Sequence, residues 1–285
     1  MNATLPQNAR VAYVSFHNNY NTMAVHLAFL GTGTCCATSR KPSATALSDG
    51  NEVLCVDFGG GAYHQIARLD RPLFNYRNIS TVFLTHFHVD HISGLPDLLW
   101  GEMWDYTGRR EDPITLVGPH GLKNFYEQRL LPFLGDYPMP FEVNIVELAD
   151  GASYAGSFYT MVSYHLEHGE FSTGYLFVCG DARIAFTGDT AYCGNLVRLL
   201  GASSLAVMEW SIQDTSRHPG HLSADDVIRL LKEGALPKKM FANHLYLPAD
   251  TTFEEQVARN RHVVAGFPVE FYFPVDGDVF ENIIG

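Results

Sequence analysis

Apolar positions along this chain gather into short, sharply bounded runs, each closed by a turn bearing glycine, histidine or proline. From Met23 onward the runs are "HLAFLG", "EVLCVDFG", "TVFLTH", "ITLVGP", "YTMVSYH", "GYLFVCG", "RIAFTGD", "LAVMEW", "KMFANH" and "VEFYFPV". Their length and their β-branched and aromatic content predict strands. Between them stand amphipathic stretches that predict helices: "GAYHQIARL", "LPDLLWGEMWDY", "HGLKNFYEQRLLPFL", "GNLVRLLG", "SADDVIRLLKEG" and "TFEEQVARNRHVVA". The fold class that follows is α/β or α+β. No Gly/Ser linker or low-complexity stretch divides the chain. Residues 1–22 are rich in asparagine and weakly periodic, and are expected to be an N-terminal extension to a single domain spanning 23–285.

Composition narrows the function. At 285 residues, 46% of them apolar, the chain can bury a sizeable core. A formal charge of −12 sets a repulsive mean field against polyanions, so general nucleic-acid binding is disfavoured. No window approaches 18 uncharged apolar residues and no basic leader precedes an apolar segment, which predicts a soluble, cytoplasmic protein without a membrane span. The five cysteines (Cys35, Cys36, Cys55, Cys179 and Cys193) lack metal-knuckle spacing, and are expected to be reduced and structural.

The chemistry concentrates where strands end. In "THFHVDH" the run "TVFL" stops just before His86, and His86 and His88, two apart in extended backbone, point the same way and can share a metal. Asp90 and His91 follow at the start of a predicted helix. Other candidates sit in the same context: His168 after "TMVSYHLEH", Asp189 in "IAFTGDT" and His244 in "MFANHL". Strand-end loops on one sheet edge can converge. These seven candidates suit zinc, manganese or iron, and Asp189 can bridge two such cations. We assign His86, His88 and His168 to one metal and Asp90, His91 and His244 to the other.

In that order, "THFHVDH", "GDT" and "NHL" resemble the metallo-β-lactamase superfamily. The ribonuclease Z branch is the nearer likeness, through "FLGTGT", "ISTVFLTHFHVDHISGLPDLL", "LVGPHGLKNF" and "HGEFSTGY". The resemblance covers nearly everything from Met23 onward. It implies a four-layer αββα sandwich, a binuclear centre with zinc as the first expectation, and a homodimer. It also implies that the third histidine is His168 rather than His165, because His168 stands six residues before the pair Gly174–Tyr175. Glu209 in "VMEWS" and His221 in "PGHLSADDV" resemble the branch's acid–histidine pair, which implies His221 as proton donor to a leaving oxygen and Glu209 as its orienter. His218, which precedes proline, ranks below His221. Asp90 is expected to take the proton of the attacking water.

What the resemblance implies about activity is a metal-dependent hydrolase, a phosphodiesterase acting on a small phosphodiester or an RNA 3′ end. Sulfatase, lactonase and thioesterase chemistry on the same fold are the alternatives, with a non-catalytic metal-binding scaffold behind them. Two departures favour a small-molecule ester over folded RNA. No Gly-rich basic insertion occurs between Gly121 and His168, and "DFGGGAYHQIARL" replaces the branch's acidic Gly-Glu-Gly-Thr-Gln pattern. Trp100, Trp104 and Tyr106 could form an aromatic wall beside the metals, although a helix stripe of this kind is more often core.

Overall fold

The computed structural model describes residues 24–37, 39–212, 219–247 and 251–283. The expected extension over 1–22 and the rival His218 lie outside the described residues. All ten predicted runs contribute to strands: β1 (His26–Gly31), β3 (Val53–Val56), β4 (Ile79–Phe83), β5 (Ile114–Pro119), β8 (Thr160–Leu166), β9 (Ser172–Cys179), β10 (Ala182–Phe186), β11 (Leu205–Glu209), β12 (Lys239–Asn243) and β13 (Glu270–Tyr272). Four more strands were not predicted: β2 (Ala44–Ser48), β6 (Val143–Leu148), β7 (Ser153–Ala155) and β14 (Val279–Phe280). β7 and β14 are short, β2 mixes polar with small residues and β6 is interrupted by Asn144 and Glu147; pairing with neighbours is what makes them strands.

Two seven-stranded sheets result, in the orders β14-β1-β2-β3-β4-β5-β6 and β13-β12-β11-β10-β9-β8-β7. In the first, β3 to β6 run parallel; in the second, β10 to β13 do. The helices are α1 (Ala62–Arg68), α2 (Val89–Ile92), α3 (Leu95–Trp104), α4 (Leu122–Phe125), α5 (Leu131–Leu134), α6 (Gly194–Gly201), α7 (Ala224–Lys232) and α8 (Phe253–Val263). A π-helical segment, Tyr126–Leu130, joins α4 to α5 where one helix was predicted. No helix among the described residues is long and apolar enough to cross a membrane.

Alternation along the strands builds the layers. In β1, Leu27 and Phe29 join the core between the sheets, with Phe83, Phe177, Val207 and Phe241. Ala28 and Leu30 pack the other way, with Ile66 of α1 and Leu95, Leu98 and Leu99 of α3. On the far side, Leu176, Ala206 and Met240 meet Leu196, Leu199, Val227 and Leu230 from α6 and α7. Strands covered on both faces need apolar residues at consecutive positions, which is why they read as unbroken runs. The order of layers is helix, sheet, sheet, helix.

Phe83 is the central anchor between the sheets, buried completely, with its ring edge-on to Tyr175 at 5.4 Å and to Phe177 at 4.9 Å between centroids. Truncation leaves a cavity that these rigid neighbours cannot close. Phe83→Ala is expected to lower unfolding free energy by ~3–5 kcal/mol, read from urea denaturation; a loss below ~1 kcal/mol would contradict this packing account.

Candidate metal centre

The ends of β4, β10, β11 and β12 converge on one edge of the sandwich, with the β8–β9 turn beside them. Contacts across the sheets hold them there. Thr173 N–H donates to Thr85 O at 2.9 Å and the Tyr175 hydroxyl to Leu84 O at 2.5 Å. Gly188, at φ +56°, passes so close that a Cβ on it would lie 2.5 Å from Thr85 Cβ, so glycine is required for the β10 end to meet the β4 end. Asp57 and His244 take left-handed backbone, both at φ 56°, without being glycine. Such conformations persist where surrounding structure enforces them, and they gather at functional sites.

Each sequence-predicted ligand reaches this edge. His86, His88, His168 and Asp189 form one set whose donor atoms lie within 4.8 Å of one another, and Asp90, His91 and His244 form another. Asp189 joins the two: its Oδ2 lies 3.8 Å from His86 Nε2, 3.7 Å from His168 Nε2, 3.3 Å from His91 Nε2 and 3.3 Å from His244 Nε2. Asp90 Oδ2 is 3.3 Å from His244 Nε2. His168 Nε2 faces His88 Nδ1 at 3.1 Å. His165 is exposed on β8, with its backbone N–H donating to Asp150, and stands apart from both sets.

The remote nitrogen of four of these rings is anchored. His86 Nδ1 lies 3.0 Å from Thr85 Oγ1, His91 Nδ1 is 2.7 Å from Asp57 Oδ2, His168 Nδ1 is 2.7 Å from Gly220 O, and His244 Nδ1 is 2.9 Å from Ser211 Oγ. The Thr85 hydroxyl continues to Asp57 and that of Ser211 to Glu209. With Nδ1–H donating outward, each Nε2 turns a lone pair inward. This is the arrangement by which proteins orient metal-binding histidines. His86 Nε2, His91 Nε2 and Asp189 Oδ1 are buried without a hydrogen-bond partner. Inward lone pairs about a buried carboxylate fit a divalent cation.

Electrostatics point the same way. Burial, reinforced by His91, drives the pKa of His86 well below the ordinary histidine value, leaving the neutral ring that ligates metals. For His91 burial acts in the same sense, but the carboxylates of Asp189 and Asp57 outweigh it and raise the pKa well above the ordinary value. Asp189 is held well below the carboxylate range: burial opposes this, and the neighbouring His244 and His91 overcome it. The centre is built to hold positive charge.

Beside the ligand sets, His221 Nδ1 lies 3.2 Å from both carboxylate oxygens of Glu209. Glu209 is itself pinned by Thr190 N–H, Leu222 N–H and the Ser211 hydroxyl. His221 also approaches Asp189 Oδ2, at 4.0 Å, and its ring centroid is 4.6 Å from that of His168. Burial disfavours its charged form, yet the hydrogen bond and charge of Glu209 raise its pKa above the ordinary value, favouring a ring that carries a proton to give.

Two sequence expectations change. Trp100 and Trp104 form neither core nor a wall shown against the ligands: 40% and 43% exposed, they cluster with Tyr137 on the surface, and Tyr106 is 98% exposed. The reason is that α3 buries its opposite side, through Leu95, Leu98, Leu99 and Met103. Cys55, Cys179 and Cys193 are buried, but Cys35 and Cys36 are exposed in the turn after β1 and have no packing role that burial would give. The reading from sequence also missed the anchors Asp57, Thr85, Ser211 and Gly220. Asp57 had the same signature as the ligands, an aspartate ending an apolar run before a glycine turn.

Comparison with known proteins agrees with the fold described above. A profile described as "Beta-lactamase superfamily domain" matches residues 56–245. A ribonuclease Z from Methanosarcina mazei is 35% identical over 152 residues, covering 53% of this chain and 47% of that protein, so the match spans about half the length of that relative. A ribonuclease Z from Staphylococcus carnosus is 29% identical, with 78% of this chain and 88% of that protein covered. Among solved structures, the metallo-beta-lactamase fold protein YhfI from Bacillus subtilis superposes with a TM-score of 0.74 at 18% identity, covering 90% of this chain and 99% of the other.

Proposed function

Because the chain belongs to the metallo-β-lactamase superfamily, we propose that it is a hydrolase working with two divalent ions, zinc before manganese or iron, and that it cleaves phosphodiesters in the manner of ribonuclease Z. His86, His88 and His168 would hold one ion and Asp90, His91 and His244 the other, with Asp189 between them. When bound, such ions supply Lewis acidity that activates a water and offsets charge building at phosphorus.

The chain's own residues carry the protons. Although burial works against it, the adjacent His244, 3.3 Å away, and His91 hold the Asp90 carboxyl below the usual carboxylate range, so it stands ionised and accepts the proton the attacking water releases. His221, oriented by Glu209, donates to the departing alkoxide, which leaves as an alcohol. The observation that carries the phosphodiesterase reading is this His221–Glu209 pair at 3.2 Å beside the ligand cluster. A proton donor matters most where the leaving group is a poor one.

A small phosphodiester is favoured over folded RNA as substrate, supported by the net charge of −12. A reducing cytoplasmic setting is supported by five free thiols. The test is hydrolysis of bis(p-nitrophenyl) phosphate by chelator-stripped protein reloaded with zinc or manganese, with p-nitrophenyl sulfate, a lactone and a thioester in parallel. Metal-dependent release from the phosphodiester is the expected result. Turnover of only one of the other esters would move the assignment to that chemistry, and metal binding without turnover of any would leave a scaffold.

A further inference from the structure

Every ligand contact of Asp189 runs through Oδ2, and its other oxygen, Oδ1, is buried without a donor. A carboxylate that joins two ligand sets through one oxygen needs its second oxygen restrained, or it turns about its own bond and the sets lose their common member. None of the described protein groups provides that restraint. Close by, Asn243 at the end of β12 is 6% exposed and its Oδ1 is likewise an acceptor without a donor. Its amide orientation is set from the other side, where Nδ2 donates to Ser43 Oγ at 3.4 Å.

Asp189 and Asn243 line one small cavity of about 20 Å³, together with Ser43, Thr45, Asp57 and Glu209. A buried water needs room for about one probe sphere and two to four polar partners, and this space admits a water. Hydrogen bonding matches as well: a water has two protons to donate, and two buried acceptors lack a donor here. Asp57 and Glu209, the other carboxylates of the lining, already have theirs, from Thr85 and His91 and from Thr190, Ser211 and Leu222 respectively.

We propose that this cavity binds a single water that donates to Asp189 Oδ1 and Asn243 Oδ1, and that Asn243 thereby acts as a positioning residue for the carboxylate shared by the two ligand sets. The inference rests on the metal-centre reading above. Asn243 touches neither substrate nor metal; it acts through the water. Leucine at this position has the same branched shape and no acceptor, whereas aspartate keeps the acceptor and can take its second hydrogen bond from the Ser43 hydroxyl.

The experiment is zinc titration against a chromogenic chelator for the wild type, Asn243→Leu and Asn243→Asp, with a high-resolution crystal structure of each zinc-loaded protein. The expected result is a water in the cavity of the wild type and of Asn243→Asp. In Asn243→Leu it should be missing, with zinc bound ~10–100-fold more weakly, as for loss of an outer-shell partner, and with affinity recovered in Asn243→Asp. A dry cavity in the wild type, a metal cation there in place of water, or wild-type zinc affinity in Asn243→Leu would each overturn the proposal. Should Asn243→Leu fail to fold, the wild-type cavity and the aspartate variant still decide it. A wild type that binds no zinc at all would instead sink the metal-centre reading, so the two failures are distinguishable.

Discussion

Asp189→Asn is expected to weaken zinc binding by more than ~10²-fold, beyond what losing an outer-shell partner costs, and to remove hydrolysis with it. The carboxylate is 2% exposed, and its Oδ2 lies within 4.0 Å of nitrogens from His86, His91, His168, His221 and His244. Asparagine keeps the shape and discards the negative charge that would offset bound cations in so small a space. The effect is visible without any substrate. At free zinc a thousandfold above Kd, one site adds ~4 kcal/mol to wild-type stability, while a Kd raised a hundredfold leaves only ~1.4 kcal/mol. The difference amounts to about 5–10 °C in Tm for a chain of this size. Differential scanning with and without zinc measures it, and an undiminished zinc-dependent Tm increase in Asp189→Asn would remove Asp189 from the centre.

His221→Ala should behave in the opposite way: zinc content stays at the wild-type value while kcat falls ~10²–10⁴-fold, the range for a lost general acid. The distinction needs care, because Asp189, His221 and His244 also lie close enough to form a ligand group. Hydrogen bonding separates His221 from the ligands. The His221 nitrogen that approaches Asp189 is Nδ1, 4.0 Å away and already engaged with Glu209 at 3.2 Å from each oxygen, whereas His86 and His91 turn an Nε2 without a hydrogen-bond partner into the cluster. Glu209→Gln should reproduce part of the loss, since the amide still orients the ring but no longer favours its charged form. A substrate with a p-nitrophenolate leaving group should show a smaller loss than one with an alkyl leaving group, because a weakly basic oxygen departs without a proton. Equal zinc loss in His221→Ala and Asp90→Ala would merge the two roles and refute the division drawn here.

Much of this centre was legible along the chain. His86 and His88 are neighbours in extended backbone, and their shared direction follows from the strand period alone. His168, Asp189 and His244 are each marked by position, a polar residue ending an apolar run. Between His165 and His168 local spacing could not choose; family likeness favoured His168, and its ring is the one that faces His88 at 3.1 Å. The anchors were harder to see. Thr85 and Ser211 are ordinary hydroxyl residues until the folded chain places them against His86 and His244, and Gly220 contributes only a backbone carbonyl, about which residue type says nothing.

The surface was the least legible part. An aromatic stripe on a helix scores as core because burial is the usual fate of tryptophan, and which side of α3 faces the sheet depends on residues far away in sequence. The same holds for the short strands β2, β6, β7 and β14, whose hydrogen bonds all lie with partners elsewhere in the chain.

The sequence by itself determined the periodicities that make ten strands and the helices between them, and it determined which side chains can hold a cation, since residue type and strand-end position are local properties. Only the tertiary structure decided that these strand ends meet on one edge, that Asp189 connects the two ligand sets through a single oxygen, and that Asp57, Thr85, Ser211 and Gly220 turn the imidazoles inward. Those facts depend on contacts between segments up to a hundred and more residues apart, such as Asp90 with His244, and such contacts leave no mark on the local pattern of the chain.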